Sequence, residues 1–220
     1  MVLRSTVNSR WVFVSALTAT LCFCRASFAD DTVYKNDFQS AEVGKVPADM
    51  MVIDGGFTVG EEAGNKFLEL PGAPLDTFGV LFGPTAKEDR TVSARVYGTT
   101  KGRRAPSFSI GLGGVGGYKL QVSPGKKMLE LYKGDAVKTS VPFDWQTGKW
   151  TRLALSLKKV GDSEWAIDAR AWTDGAAEPA TPTLTFTDKE APSSGRASIG
   201  GSPYATTPIR YDDLFTGPAK

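Results

Sequence analysis

Gly111, Gly113 and Gly116, in the stretch FSIGLGGVGGYKLQV at residues 108–122, have the spacing of a dinucleotide-binding fingerprint and follow a strand-like run. That fingerprint works only where the glycine turn opens a helix, because the pyrophosphate rests on the unpaired N–H groups of the helix N-terminus. Here Tyr118-Lys119-Leu120-Gln121-Val122 alternates apolar and polar residues with period two and ends in the turn Ser123-Pro124-Gly125. The segment reads as strand, turn, strand. Glu130 and Asp135 stand near the distance of a ribose ligand, but without the helix that spacing has no meaning. No nucleotide partner is expected, and the glycines read as a hairpin connection.

Other chemistries fall away by composition. The chain contains no histidine, and its 2 cysteines, Cys22 and Cys24, both lie in an apolar N-terminal stretch. Ser-His-Asp and Cys-His mechanisms and histidine-ligated zinc are therefore excluded. Carboxylates remain. Glu130 and Asp168 are the acidic pair that a retaining or inverting glycosidase would have to use, at a separation of ~5 to 9 Å.

The N-terminus sets the compartment. Arg4 and Arg10 form a basic flank, residues 11–24 an apolar run, and Ser27-Phe28-Ala29 a small-residue cleavage site, so residues 1–29 read as a signal peptide. The run is short for a membrane span, which needs roughly 20 residues; an uncleaved anchor is the alternative. Neither cysteine follows the small residue that lipoprotein processing requires. The mature chain would be secreted, periplasmic or extracellular, free of cysteine and not integral to a membrane. Loss of Arg4, Arg10 and Arg25 takes the 26 basic residues to 23 against 24 acidic, a net charge of −1. Near-neutrality without a basic block argues against nucleic acid.

Residues 30–220 read as one domain built from strands, expected over 32–38, 51–53, 66–70, 77–82, 91–97, 107–112, 118–122, 128–132, 136–143, 150–160, 164–173, 181–186, 196–199 and 208–215. Turn signals such as Asp54-Gly55-Gly56, Lys133-Gly134-Asp135 and Asp174-Gly175 separate them. Many short strands without intervening helices predict an all-β sandwich or jelly roll. The clearest pattern is GKWTRLALSLKKVGDSEWAIDARAWTDG, a hairpin with one buried face made by Leu153, Leu155 and Leu157 of its first strand and Trp165, Ile167, Ala169 and Ala171 of its second. Trp145, Trp150 and Trp165 are assigned to core or edge packing.

With DFQSAEVGKVPADM near the start and GRASIGGSPYATTPIRYDDLF at the end, this hairpin resembles the concanavalin A-like (laminin G-like) jelly-roll superfamily. It is similar in particular to secreted bacterial domains related to the 3-keto-disaccharide hydrolase-like family, over roughly residues 31–217. The resemblance implies a β-sandwich of two antiparallel sheets. The hydrolase-like members carry Asn-Ser-Gly, an apolar run and Arg, then a Gly-Tyr-Glu-x-Gln strand. Here those regions read Pro106-Ser107-Phe108-Ser109-Ile110 and Gly117-Tyr118-Lys119-Leu120-Gln121. The Glu-x-Asp-x-Glu triplet of the glucanase members is absent.

The polar parity of the central strands gives a candidate binding surface, provided the strands are neighbours: Arg95, Tyr97, Ser107, Ser109, Lys119, Gln121, Glu130, Tyr132, Asp168, Arg170 and Trp172. Flat rings suit sugar C–H groups, and Arg, Gln and Glu direct hydrogen bonds to hydroxyls. A mixed polar outer face with cross-strand aromatic pairs is the alternative. Asp37, Asp212 and Asp213 could supply hard oxygen ligands to a structural calcium, or simply cap strand ends. The expected function is non-catalytic carbohydrate binding, without a required cofactor. The alternatives are a glycoside hydrolase on the same scaffold, using Glu130 and Asp168, and a structural or protein-interaction module of the envelope.

Overall fold

The computed structural model describes Met1 and residues 32–72, 76–204 and 207–219. The signal segment expected over residues 1–29 lies, but for Met1, outside the described residues. Fifteen strands follow in order: β1 (Tyr34–Asn36), β2 (Met51–Asp54), β3 (Thr58–Glu62), β4 (Asn65–Leu70), β5 (Phe78–Ala86), β6 (Arg90–Tyr97), β7 (Ser107–Leu112), β8 (Tyr118–Ser123), β9 (Met128–Lys133), β10 (Ala136–Pro142), β11 (Thr151–Gly161), β12 (Glu164–Thr173), β13 (Leu184–Asp188), β14 (Gly195–Ser202) and β15 (Ile209–Pro218). No helix occurs among the described residues.

The strands form two antiparallel sheets. The front sheet runs β13-β12-β11-β6-β15-β4-β3, with β1 also paired to β15, and the back sheet runs β10-β9-β8-β7-β14-β5-β2. Period-two alternation explains the layering, since one set of side chains on each strand must leave water. Val92, Val96, Leu153, Leu155, Leu157 and Ile167 of the front sheet meet Val80, Phe82, Phe108, Ile110, Leu120 and Leu131 of the back sheet in one buried cluster. Trp165 joins that core at 5% exposure, as expected. Trp145 packs edge-on against Phe108, with ring centroids 5.9 Å apart.

Fourteen of the strands match those expected, with ends shifted by a few residues. The fifteenth, β3, escaped the sequence because Thr58-Val59-Gly60-Glu61-Glu62 offers a single apolar side chain to bury. Its Gly60 lies under the Phe67 ring of β4, where a Cβ would stand 2.9 Å from Cε2.

The glycine run between β7 and β8 is a hairpin, and no helix follows it. Gly113 and Gly114 adopt left-handed backbone conformations at φ +83° and +72°, and the Gly114 N–H donates to the Arg196 carbonyl at 2.9 Å. A Cβ on Gly195 would sit 2.4 Å from the Gly114 nitrogen. These glycines let two backbones pass at a distance that side chains forbid.

At one edge of the sandwich a polar latch ties the sheets together. Asp188, at the end of β13, accepts from the Tyr118 hydroxyl at 2.6 Å and the Lys133 ammonium at 2.9 Å, both from the back sheet. Burial works to raise the Asp188 pKa, but these donors and the Glu190 N–H outweigh it and hold the carboxyl at about 2.

Candidate functional site

The topology divides the candidate binding surface in two. Arg95, Tyr97, Asp168, Arg170 and Trp172 lie on β6 and β12 of the front sheet; Ser107, Ser109, Lys119, Gln121, Glu130 and Tyr132 lie on β7, β8 and β9 of the back sheet. Outward parity points these sets away from each other across a sandwich about 10 Å thick. The condition that the strands be neighbours is not met. Glu130 and Asp168 therefore do not flank one glycosidic bond.

On the back face the polar groups satisfy one another. Glu130, 5% exposed, accepts from the Ser123 hydroxyl at 2.5 Å, the Lys126 ammonium at 2.9 Å and the Tyr132 hydroxyl at 3.2 Å. Burial pushes its pKa up, the three donors pull it down, and the net is a lowered value. A carboxyl held ionised in this way is a poor general acid. Gln121 donates to Ser123 at 2.9 Å, and the Lys119 ammonium sits 4.5 Å over the Tyr132 ring. Ser109 donates to the Gly200 carbonyl at 3.2 Å.

The front face is built differently. Antiparallel register sets Arg170, Ala154, Ser93 and Phe215 in one row across β12, β11, β6 and β15, and Asp168, Ser156 and Thr91 in the row beside it. The middle of each row is small. Large side chains at both flanks and small ones at the centre leave a groove of about 460 Å³, floored by Ser93, Ala154 and Ser156 and walled by Arg170, Trp172 and Phe215. That volume falls within the ~300–1,000 Å³ typical of small-molecule sites. Beyond Phe215 a second depression, lined by Lys35, Asp37 and Ser40, shares Ser93 and Arg152 with the first.

The Asp168 carboxylate makes no hydrogen bond or ion pair with any other described residue, and neither does the Trp172 indole. Arg170 is held by its Nε, which donates to the Pro179 carbonyl at 3.1 Å, while Glu178 stands 3.7 Å away. Its terminal nitrogens remain available to a ligand.

One end of the groove is closed by a lattice of charges. Arg152 donates through Nε to Asp174 at 2.5 Å and through Nη2 to Asp213 at 3.0 Å, and Arg95 reaches Asp212 at 2.6 Å and Asp213 at 3.3 Å. Burial opposes ionisation of Asp174, yet its two arginines bring its pKa below the ordinary value. Asp212 differs: burial raises its pKa despite Asn65, Arg95 and the Asp213 N–H. Arg95 also covers the Trp150 ring at 4.6 Å, and Tyr97 packs against Trp150 at 5.5 Å, outside the groove.

Two consecutive acids cannot face the same way in a regular strand. β15 achieves it with a bulge, the register shifting between Asp212 and Phe215 while Asp213 takes φ +50°. Both carboxylates then reach arginines, and Phe215 is turned out into the groove. Of the three proposed calcium ligands, Asp212 and Asp213 are thus engaged by arginine, and Asp37 accepts the Gln39 N–H at 3.1 Å. No group of three or more metal-ligating side chains occurs among the described residues.

Sequence reasoning missed Ser93, Ala154 and Phe215. The first two are small and signal nothing until register places them side by side. Phe215 has core parity with Ile209 and Tyr211, and only the bulge reverses it. Arg152 was legible as an outward residue of the hairpin.

No protein-family model matches the chain, and no curated protein sequence is significantly similar to it. Solved structures do match. A Bacillus subtilis protein of unknown function with a galectin-like fold superposes with a TM-score of 0.58 at 12% identity, over 85% of this chain and 96% of that one. A carbohydrate-binding module, CBM66, from the same organism gives 0.53 at 11% identity, over 77% and 95%. A prokaryotic β-1,3-1,4-glucanase (lichenase) derived from a mouse hindgut metagenome gives 0.53 at 12% identity, over 85% and 99%. At these identities the likeness establishes the fold, a concanavalin A-like jelly-roll sandwich of two antiparallel sheets.

Proposed function

We propose that this chain is a secreted, non-catalytic glycan-binding module that holds a saccharide in the front-sheet groove. The observation that carries the reading is the groove's chemistry: an aromatic wall at Trp172, a floor of small side chains, and Asp168 and Arg170 with hydrogen-bonding capacity that the protein leaves unused. Sugars present apolar C–H faces and directed hydroxyls, and this pairing of ring and free polar group suits both. The carbohydrate-binding structures of the same fold support it. Kinship with the secreted 3-keto-disaccharide hydrolase-like domains belongs to the same reading and rests on the order of the strand motifs. No cofactor is needed, since arginines already neutralise the nearby carboxylates.

Affinity electrophoresis of the mature chain through gels carrying individual neutral and acidic polysaccharides, with reducing-end release measured in parallel, tests this. The expected result is retardation by at least one polysaccharide, abolished by Trp172→Ala, unchanged by EDTA and without release of products. Product release would make the chain a glycosidase. Retardation that survives Trp172→Ala would move the site elsewhere.

A further inference from the structure

The loops β6–β7, β8–β9 and β10–β11 all open at the same end of the sandwich and are bonded to one another. The Gly148 N–H donates to the Gly98 carbonyl at 2.9 Å, the Thr100 N–H to the Thr147 hydroxyl at 2.8 Å, and the Phe143 N–H to the Lys127 carbonyl at 3.0 Å. This joint surface exposes Lys101, Arg103, Arg104, Lys126, Lys127 and Lys149. Its acids do little to balance them. Asp144 accepts from the Gln146 amide at 3.1 Å, and Glu130 pairs with Lys126 alone. Among the described residues Arg103, Arg104, Lys127 and Lys149 form no ion pair.

The opposite end has lysines too, of which Lys87, Lys158 and Lys189 form no ion pair among the described residues, but Glu88, Asp89, Asp135, Asp162, Glu164 and Glu190 stand among them. Lys159 lies 3.8 Å from Glu88 and Lys133 lies 3.2 Å from Glu190. The near-neutral balance of the mature chain therefore hides a local excess of positive charge, assembled by the fold from three separate loops.

We propose that this basic end is a second binding surface, distinct from the groove, for a polyanionic polysaccharide. Loops rooted on β7, β8, β9 and β10 spread the cations across three inter-strand spacings, roughly 14 Å, which fits a chain with repeated anionic groups better than one isolated ion. Arg103 and Arg104 can each engage a carboxylate or sulfate with two parallel N–H bonds. The exposed cluster carries no large apolar side chain to enter a bilayer. Such contacts raise association rate and affinity together and are screened by salt.

The test is a binding titration of the mature chain with three kinds of probe. These are heparin and polygalacturonate as sulfated and carboxylated polyanions, vesicles of phosphatidylcholine with phosphatidylglycerol, and duplex DNA. The protein is compared with a variant carrying Arg103→Ser, Arg104→Ser, Lys127→Ser and Lys149→Ser, with Lys158→Ser at the far end, and with Trp172→Ala. The expected result is binding to a polyanionic polysaccharide at about 0.1 M salt that weakens steeply as salt rises and falls about tenfold or more in the quadruple variant. Lys158→Ser and Trp172→Ala should leave it unchanged. Absence of binding to either polysaccharide, equal binding by the quadruple variant, or binding confined to vesicles or DNA would overturn the proposal. Loss in Trp172→Ala would also overturn it by placing the polyanion in the groove; failure of the groove reading alone would leave this surface intact.

Discussion

Glu130 and Asp168 are both outward-facing carboxylates in the middle of a strand, one on each sheet, and their surroundings are opposite. Around Glu130 the back sheet supplies Ser123, Lys126 and Tyr132, so the charge is consumed within the protein. Around Asp168 the front sheet supplies Ser156 and a floor of small residues, and the carboxylate is left to whatever enters the groove. A buried polar group that finds its partners in the fold serves stability, whereas one left unmatched beside a cavity is available for recognition. The same contrast separates the Asp188 latch from the groove.

Substitutions should divide along that line. The largest effect is expected from Asp188→Ala, which strands the Lys133 ammonium, 13% exposed, and the buried Tyr118 hydroxyl; denaturant unfolding should show a loss of about 3 kcal/mol. Glu130→Ala should cost about 2 kcal/mol by the same measurement, less because Lys126 is 62% exposed and can return to water. Trp172→Ala should lower glycan affinity by tenfold or more, at least about 1.4 kcal/mol and enough to abolish retardation in the gels, with the melting temperature unchanged. Asp168→Ala should alter unfolding by no more than about 0.5 kcal/mol while weakening glycan binding.

Acid should reveal the latch as well. A carboxyl held at about 2 in the fold, against an ordinary 3.8, takes up its proton more readily when unfolded. Its stabilisation is therefore complete above the ordinary value and is lost as pH falls from there towards 2. Thermal melts of the wild type and Asp188→Asn between pH 6 and pH 2 should converge at the acid end, in the range between those two values.

The layers of the fold were legible because period-two alternation is strong where one face is buried, as in Leu153, Leu155 and Leu157 against Trp165, Ile167 and Ala169. The hairpin nature of the glycine run was legible from Tyr118 to Val122 for the same reason. Strand order was not. Alternation says which way a side chain points from its own strand but not which sheet the strand joins, so whether Glu130 and Trp172 share a surface stayed a condition that the sequence could not meet. Nor does parity survive a bulge. Asp212 and Asp213 read as calcium ligands or strand-end caps, and a bulge with one left-handed residue made them arginine partners and turned Phe215 out. The groove itself is a property of register, since Ala154 and Ser93 become a floor only when β11 lies against β6.

The central claim is that ligand occupies the space above that floor, and filling the space tests it most directly. Ala154→Leu places a larger side chain in the groove without touching the core face of β11. Calorimetric titration of wild type and Ala154→Leu with the same polysaccharide should show binding by the first and none by the second, at equal melting temperature. Equal binding by both proteins would contradict the account and place any glycan site elsewhere on the sandwich.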